Sequence, residues 1–197
     1  MITIAHLLVA AVAMSNSSNS TYKTHPEYKV KAAFIYNFIQ FVSWPESSFG
    51  KGDPIILRIA GDFKHVDAVK VLSQKTTAMR HNGDKEIKKK CTSHQIKVEK
   101  WDTSAKDNSC HILFIARGAE AMLPDIMADL KNKSVLVISD SDVALGNGAM
   151  IAFYIANSQV RFKIDPDAVA SKNIKISSRL LRLATIVKPG AGMEDDR

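Results

Sequence analysis

Cys110 and His111 are adjacent, and they are the pair in this sequence that comes nearest to a nucleophile with its base. A cysteine attacks a substrate as the thiolate, which forms when a neighbouring base or cation lowers the pKa of the thiol. The apolar residues 112–115 follow directly and predict a buried strand. Because neighbouring residues of a strand point to opposite faces, His111 is not placed to activate Cys110. We therefore expect both residues to have structural roles.

Two pairs of carboxylates, Asp140 with Asp142 and Asp165 with Asp167, have a spacing that suits general acid and base chemistry. Each pair follows a predicted strand and lies in a loop or at a helix entry, where aspartate forms turn and cap hydrogen bonds. The sequence has no G-x-S-x-G elbow, no C-x-x-C motif and no zinc-type spacing of Cys and His. It therefore predicts no enzyme active site, no metal site and no cofactor.

The chain has 197 residues, of which 46% are apolar, and it carries 27 Lys and Arg against 20 Asp and Glu, a net charge of +7. This length suits one domain with a sizeable core. The basic run Lys88–Lys90 lacks the interleaved aromatic residues of nucleic-acid surfaces, so we expect no nucleic-acid partner. A solvated face and a patch for phosphates or membrane headgroups remain the two interpretations of that run.

The N-terminal residues 1–20 contain no charged side chain, and residues 2–14 are apolar except for Thr3 and His6. This run is too short to span a membrane but suits the hydrophobic region of a signal peptide. The alternative is a buried N-terminal helix or strand, although the Ser- and Asn-rich residues 15–21 are typical of a linker. The predicted organisation is a signal peptide and polar linker at 1–20, one domain at 21–188 and a flexible tail at 189–197.

Cys91 and Cys110 are the two cysteines of the chain. In an exported protein they can oxidise, and a disulfide between them would close a loop of about 20 residues and contribute about 3 kcal/mol. Two separate free thiols are equally compatible with the sequence, because Cys110 opens an apolar run and suits burial as a small hydrophobic residue.

Residues 27–42 predict a helix that the pair Trp44 and Pro45 ends. Phe34, Phe38 and Phe41 form an aromatic stripe beside a second apolar stripe, so this helix needs cover on two sides. A central core helix would satisfy that need. The alternative is that part of the aromatic face packs on a second subunit or a partner.

The remaining pattern alternates strands with helices. Strands are predicted at 55–60, 96–101, 110–116, 134–140, 150–155 and 159–164, and helical segments at 66–72, 120–130, after 165 and at 177–184. Residues 96–101 alternate apolar and charged side chains, as an edge or one-sided strand does. Strand, helix, strand order favours right-handed crossovers. We predict an α/β fold, a single-domain three-layer sandwich with a mixed, mainly parallel sheet and a C-terminal antiparallel hairpin.

Arg161, Arg179 and Arg182 lie in a C-terminal third that is rich in basic residues. Guanidinium groups suit carboxylate or phosphate recognition better than ammonium groups do. The three arginines indicate either a site for an anion or acidic partner, or a set of solvent-facing and locally paired residues.

Four blocks of the sequence, in their order along the chain, resemble the YfiR family. They are residues 31–45, residues 110–115, residues 160–164 and residues 177–184, and the resemblance runs from about residue 28 to residue 187. It implies a periplasmic bacterial protein of mixed α/β fold without catalytic activity. The second cysteine pair that some relatives carry after the fourth strand has no counterpart in residues 139–148.

The resemblance also implies partners and a mechanism. It implies repression of a membrane-bound diguanylate cyclase through binding to the periplasmic sensor region of that enzyme, which lowers cyclic di-GMP output and biofilm formation. It further implies an outer-membrane lipoprotein that sequesters the repressor, redox sensitivity through disulfides, and a tendency to dimerise. The residues we assign to partner binding on this basis are Phe34, Phe38, Phe41, Trp44, Arg161, Phe162, Arg179 and Arg182.

An alternative from another class is a periplasmic module that binds a small ligand. Open α/β sheets bind ligands beyond the carboxyl ends of their strands. Residues 61–62 and 139–148 would then form the rim of the site. A nucleotide is not expected there, because Gly61 stands without the other glycines of a G-x-G-x-x-G turn.

Overall fold

The computed structural model describes residues 26–50, 52–62, 68, 71–74, 76–82, 92–105 and 107–187. The predicted signal peptide, the linker, the C-terminal tail, the Lys88–Lys90 run and Cys91 lie outside these residues. Ala68 and the 3-10 helix Val71–Gln74 are the described part of the helical segment predicted at 66–72.

Helix α1, Pro26–Phe41, confirms the predicted N-terminal helix. Proline is favourable at a helix start because its fixed φ suits the first turn and its missing N–H would have no partner there. The helix ends at Phe41, where the chain continues directly as strand β1, Val42–Pro45. The helix ends just before Trp44 and Pro45, as predicted, and these two residues belong to a strand that was not predicted.

The described strands form one sheet of ten in the order β10-β8-β7-β6-β5-β2-β4-β3-β1-β9. After β1 they are β2 Ile55–Ala60, β3 Thr76–Asn82, β4 Thr92–Lys100, β5 Ile112–Ile115, β6 Leu136–Ser139, β7 Ile151–Ala156, β8 Gln159–Ile164, β9 Lys175–Ile176 and β10 Thr185–Ile186. Six of the nine strand pairs are parallel. The mixed, mainly parallel sheet is confirmed.

Strands β7 and β8 form the predicted antiparallel hairpin, with Phe153 opposite Phe162. The two turn residues, Asn157 and Ser158, have φ of 50° and 58°. A two-residue hairpin turn with positive φ at both positions follows the twist of the strands, and asparagine tolerates this conformation.

Both faces of the central sheet are covered. All four residues of β5 and all four of β6 are buried, although successive side chains point to opposite faces. Helix α1 covers one face, and helix α2, Leu123–Asp129, lies in the crossover from β5 to β6. The short helices α3, Pro166–Ser171, and α4, Ser178–Leu181, follow the hairpin. The chain is a single α/β domain with three layers, as predicted.

Strand β4 lies between β2 and β3, so it is not an edge strand of the described sheet. The one-sided alternative holds, because His94 and Ile96 are buried while Gln95 and Lys97 are exposed. Strands β1, β3, β9 and β10 were not predicted. A strand of two residues carries no periodicity, so β9 and β10 have no signal in the sequence.

Candidate functional site

Parallel strands β2, β5 and β6 are neighbours in the sheet, and their carboxyl ends lead into Gly61, Ala116 and Asp140. In open α/β sheets this edge is the usual place for a ligand. We call it the carboxyl edge.

A buried ion pair fills the carboxyl edge. Lys31 of helix α1 and Asp140 at the end of β6 are both fully buried, and the Lys31 ammonium donates to the Asp140 carboxylate and to Glu27 one turn earlier in the helix. The Tyr28 hydroxyl donates to the second oxygen of Asp140 at 2.8 Å. A buried charge is tolerated only when it is paired and hydrogen-bonded, and here both conditions are met.

The rest of the network balances its charge. Arg117 follows β5 and reaches Glu27 at 3.5 Å, so two cations and two carboxylates form the group. The Lys31 ammonium also lies 5.1 Å from the centre of the Tyr28 ring. Burial, and then the hydrogen bond to the charged Asp140, raise the pKa of Tyr28, so its hydroxyl stays a donor. The expectation that Asp140 forms turn or cap bonds was wrong, whereas Asp165 does cap α3.

Gly61 closes the same edge by tight packing. Its φ is +98°, and a Cβ at this position would lie 2.5 Å from the Cβ of Ala119. Glycine is therefore required for close approach of the loop after β5 and not for contact with a phosphate. Of the rim predicted for a small ligand, Gly61 and Asp140 are packed against other parts of the chain, whereas Val143 is exposed. Cavities of about 370 Å³ beside Asn173 and about 310 Å³ beside Ala32 lie elsewhere.

Cys110 and His111 have structural surroundings, as expected. The sulfur of Cys110 is buried, and burial raises the pKa of its thiol form to about 12, which disfavours the reactive thiolate. His111 makes hydrogen bonds to backbone groups through both ring nitrogens. Because Cys91 lies outside the described residues, its pairing with Cys110 stays a prediction.

The aromatic stripe of α1 packs on the hairpin. The Phe34 ring lies 5.2 Å from that of Phe162, and the Phe38 ring lies 4.9 Å from Phe162 and 5.8 Å from Phe153. Such edge and offset contacts of aromatic rings add to the burial of apolar area. The sheet of the same chain thus covers helix α1 on this side. This cover buries the Phe38 side chain and part of the Phe34 side chain.

The apolar face of the hairpin continues beyond the cover that α1 provides. Side chains alternate along a strand, so Ile155 and Val160 share the face of Phe153 and Phe162. Ile186 of β10 pairs with Ile164 and extends that face to the edge of the sheet. Ile155 is 48% exposed and Ile186 is 45% exposed.

Helix α4 adds charge beside this face. It packs next to α1, begins at the Ser177 cap and carries the exposed Arg179, with the exposed Arg182 and Leu183 directly after it. Leu183 is 71% exposed, the largest value among the exposed large apolar residues. The C-terminal surface is defined here as Ile155, Val160, Arg179, Arg182, Leu183 and Ile186. Exposed apolar side chains together with exposed arginines are typical of protein-binding surfaces.

The residues predicted to bind a partner are not brought together in one place. Phe38, Trp44 and Phe162 are buried, and Phe34 and Phe41 are half-buried. Trp44 lies apart from the others, with its ring 6.2 Å from Phe49. Arg161 is exposed on the sheet face opposite to Phe162, next to Tyr154 and Lys163. Arg179 and Arg182 are therefore the two predicted residues that lie on the C-terminal surface.

Sequence reasoning singled out Asp140 but missed Lys31 and the ion pair between them. A signal for Lys31 exists, because residues 28, 31, 32, 35, 38 and 39 fall on one helical stripe, and a lysine there implies a buried partner. It also missed Ile155, Leu183 and Ile186. Their exposure depends on how far α1 extends over the sheet, and this cannot be predicted from the local sequence pattern.

In the described parts of the chain, no three His, Cys, Asp or Glu side chains are grouped so as to hold a metal ion. None of the helices described is both long and apolar enough to cross a bilayer.

The structure is an α/β domain with a buried ion pair at the carboxyl edge and with exposed apolar and arginine side chains on the C-terminal surface. The chain belongs to the YfiR/HmsC-like family, whose profile matches residues 28–185. This family is regulatory and non-catalytic, and it is associated with the periplasm and with cyclic di-GMP signalling. No curated protein matches the chain.

Proposed function

We propose that this chain is a periplasmic repressor that binds the periplasmic sensor region of a membrane-anchored diguanylate cyclase and lowers its cyclic di-GMP output. Membership of the YfiR/HmsC-like family supports the regulatory role. The observation that carries the proposal is the C-terminal surface, where Ile155, Leu183 and Ile186 stay exposed while the carboxyl edge is filled.

The chemistry of the C-terminal surface indicates the kind of partner. Apolar side chains supply the area that drives association, and arginine is favoured at interfaces because its planar guanidinium pairs with carboxylates in two-point contacts. We expect the cyclase segment that binds here to present apolar side chains flanked by Asp or Glu. An outer-membrane lipoprotein and a second copy of this chain are further proposed partners.

Removal of a signal peptide from within residues 1–20, ahead of the polar linker, belongs to the same proposal. It requires that the mature protein is found in the periplasm when the whole chain is expressed. The N-terminal sequence of the mature protein tests this step, and an intact Met1 in the cytoplasmic fraction would contradict it.

The test of the central proposal is affinity capture from bacterial envelope, with mass spectrometry to identify the captured proteins. The bait carries a C-terminal tag and is compared with a variant that combines Arg179→Glu, Arg182→Glu and Leu183→Asp. We expect the unaltered bait to capture a diguanylate cyclase and the variant to lose it. Lys131→Glu is the matched control, because Lys131 is an exposed cation that follows helix α2.

A second measurement links binding to output. Deletion of the gene should raise cyclic di-GMP and biofilm formation, and the unaltered chain and the Lys131→Glu control should restore both. Unchanged cyclic di-GMP in the deletion strain, with the captured cyclase present, contradicts the repressor function. Restoration by the triple variant contradicts the assignment of the C-terminal surface.

A further inference from the structure

Both ring nitrogens of His111 contact the backbone of other segments. The Ile56 N–H, in strand β2, donates to Nδ1 at 2.9 Å, and Nε2 lies 3.0 Å from the carbonyl oxygen of Ser48. A backbone N–H is always a donor, so Nδ1 must be the unprotonated nitrogen. The proton of the neutral ring is then on Nε2, which donates to Ser48. This fixes one tautomer and the neutral state.

The same ring positions the segment between β1 and β2. Phe49 stacks on His111 with ring centres 4.1 Å apart and planes 8° from parallel. Trp44 meets Phe49 edge-on, and its indole N–H donates to the His111 carbonyl oxygen at 3.3 Å. We call His111, the Ile56 N–H, the Ser48 carbonyl and the Phe49 ring the His111 clamp. It holds residues 46–50 against the sheet.

Two titratable groups of the described chain face the clamp. Asp53, in the loop before β2, accepts from the Gly50 N–H at 2.7 Å, and its charge favours a protonated His111. His94 of β4 contacts the Asp53 carbonyl oxygen at 2.5 Å and the Phe49 ring at 5.5 Å, and its charge opposes a protonated His111. Burial is the largest influence and lowers the pKa of His111, in the same direction as His94. It outweighs the hydrogen bond to the Ser48 carbonyl and the charge of Asp53, which both raise that pKa.

We propose that the His111 clamp is an acid-operated latch: protonation of His111 at Nδ1 breaks its hydrogen bond with Ile56 and releases residues 46–50 from the sheet. The imidazolium has a proton on each nitrogen and no acceptor. Its Nδ1–H and the Ile56 N–H then face each other as two donors, so the ring must turn away. The proton comes from hydronium in the solvent: its O–H bond breaks as the Nδ1–H bond forms, water is released, and no other covalent bond changes. This inference does not depend on the proposed repressor function.

The Ile56 amide reports directly on the latch. Its hydrogen exchange is measured by NMR in the full chain at about pH 7.5 and about pH 5, each relative to the intrinsic exchange rate at that pH. We expect the protection of this amide to fall several-fold at the lower pH, because the protonated ring no longer accepts its hydrogen bond. Protection that is equal at both values overturns the proposal.

Two variants assign the effect to one ring. In His111→Asn the side-chain oxygen can accept from Ile56 as Nδ1 does but does not titrate, so protection should stay the same at both pH values. His94→Asn removes the neighbouring titratable group and should keep the acid response. A response that persists in His111→Asn, or disappears in His94→Asn, overturns the assignment.

The nitrogen chemical shifts of His111 in the unaltered chain give an answer that requires no variant to fold. At neutral pH they should show a protonated Nε2 and an unprotonated Nδ1, and acid should protonate Nδ1 over the pH range in which the Ile56 amide loses protection. A protonated Nδ1 at neutral pH, or titration over a different range, overturns the proposal.

Discussion

The carboxyl edge and the C-terminal surface lie on one sheet, but they differ in which side chains they bury. Charged groups are buried at the first, and apolar groups are exposed at the second. At the carboxyl edge four charged groups and a tyrosine satisfy one another, and two of the charges are fully buried. At the C-terminal surface Leu183 and Ile186 remain in solvent although the core lies beside them. Polar groups that are buried and satisfied stabilise the fold, whereas apolar groups left exposed together are available to a partner.

This contrast favours one of the two functions that the sequence left open. A small-ligand module of this fold needs space at the carboxyl edge, and Lys31 and Tyr28 occupy it. A regulator that binds a protein needs an exposed patch, and the hairpin with β10 supplies one.

Removing one partner of the buried ion pair should have the largest effect. Lys31→Ala leaves the Asp140 carboxylate buried without its cation, and we expect the free energy of unfolding to fall by about 3 to 5 kcal/mol. Urea unfolding followed by circular dichroism measures it. The double variant Lys31→Met with Asp140→Leu removes both charges and should be clearly more stable than the single variant. A double variant as unstable as Lys31→Ala would contradict the charge argument.

Truncation on the covered and the open parts of the hairpin face should differ. Phe38→Ala removes a buried ring between Phe153 and Phe162, and we expect a loss of about 3 kcal/mol. Ile155→Ala lies on the same face beyond α1 and should cost less than about 1 kcal/mol. Thermal unfolding of both variants checks this. Equal losses would mean that Ile155 is covered in solution.

Charge reversal on the C-terminal surface should leave the fold intact. We expect the unfolding free energy of Arg179→Glu with Arg182→Glu to stay within about 0.5 kcal/mol of the unaltered chain, because both side chains are exposed. Loss of partner capture with this unchanged stability would be a binding effect. A large loss of stability would instead give the arginines a structural role.

The smallest expected effect is a pH dependence that comes from the amino-terminal end of the sheet. Burial holds the pKa of His111 below its ordinary value of 6.5, so the unfolded chain binds the proton more readily. Stability from this group is complete above that value and falls as the pH drops below it, towards the pKa of the folded state. As the pH is lowered through this range, the urea midpoint of His111→Asn should fall less steeply than that of the unaltered chain. Identical slopes would show that another group titrates.

Much of the fold was predictable because its signals are local. The strand at 55–60, the buried runs of β5 and β6 and the hairpin were all found by periodicity and turn residues. The aromatic stripe of α1 correctly required cover on a second side. What the sequence did not decide was whether that cover is the hairpin or a partner, since the contact joins Phe34 to Phe162 across most of the chain.

The candidate site was less predictable for a physical reason. Lys31 and Asp140 are 109 residues apart, and each alone resembles an ordinary surface charge. Phe38, Trp44 and Phe162 were predicted to bind a partner, but the structure buries all three. Large aromatic side chains contribute much apolar area to a core, which favours their burial. Leu183 is exposed because of where helices α4 and α1 end in the folded domain. This depends on how the helices pack on the sheet and not on the sequence around Leu183.

The Lys31 and Asp140 pair also sets an order of folding. Helix α1 is made first, but its charged contact needs the end of β6 and its aromatic contacts need the hairpin, both in the later part of the chain. Contacts between such distant residues form slowly because a long loop must close first. We therefore expect helix α1 to pack on the sheet late in folding. Its contacts cannot form until β6 and the β7–β8 hairpin have been synthesised and folded.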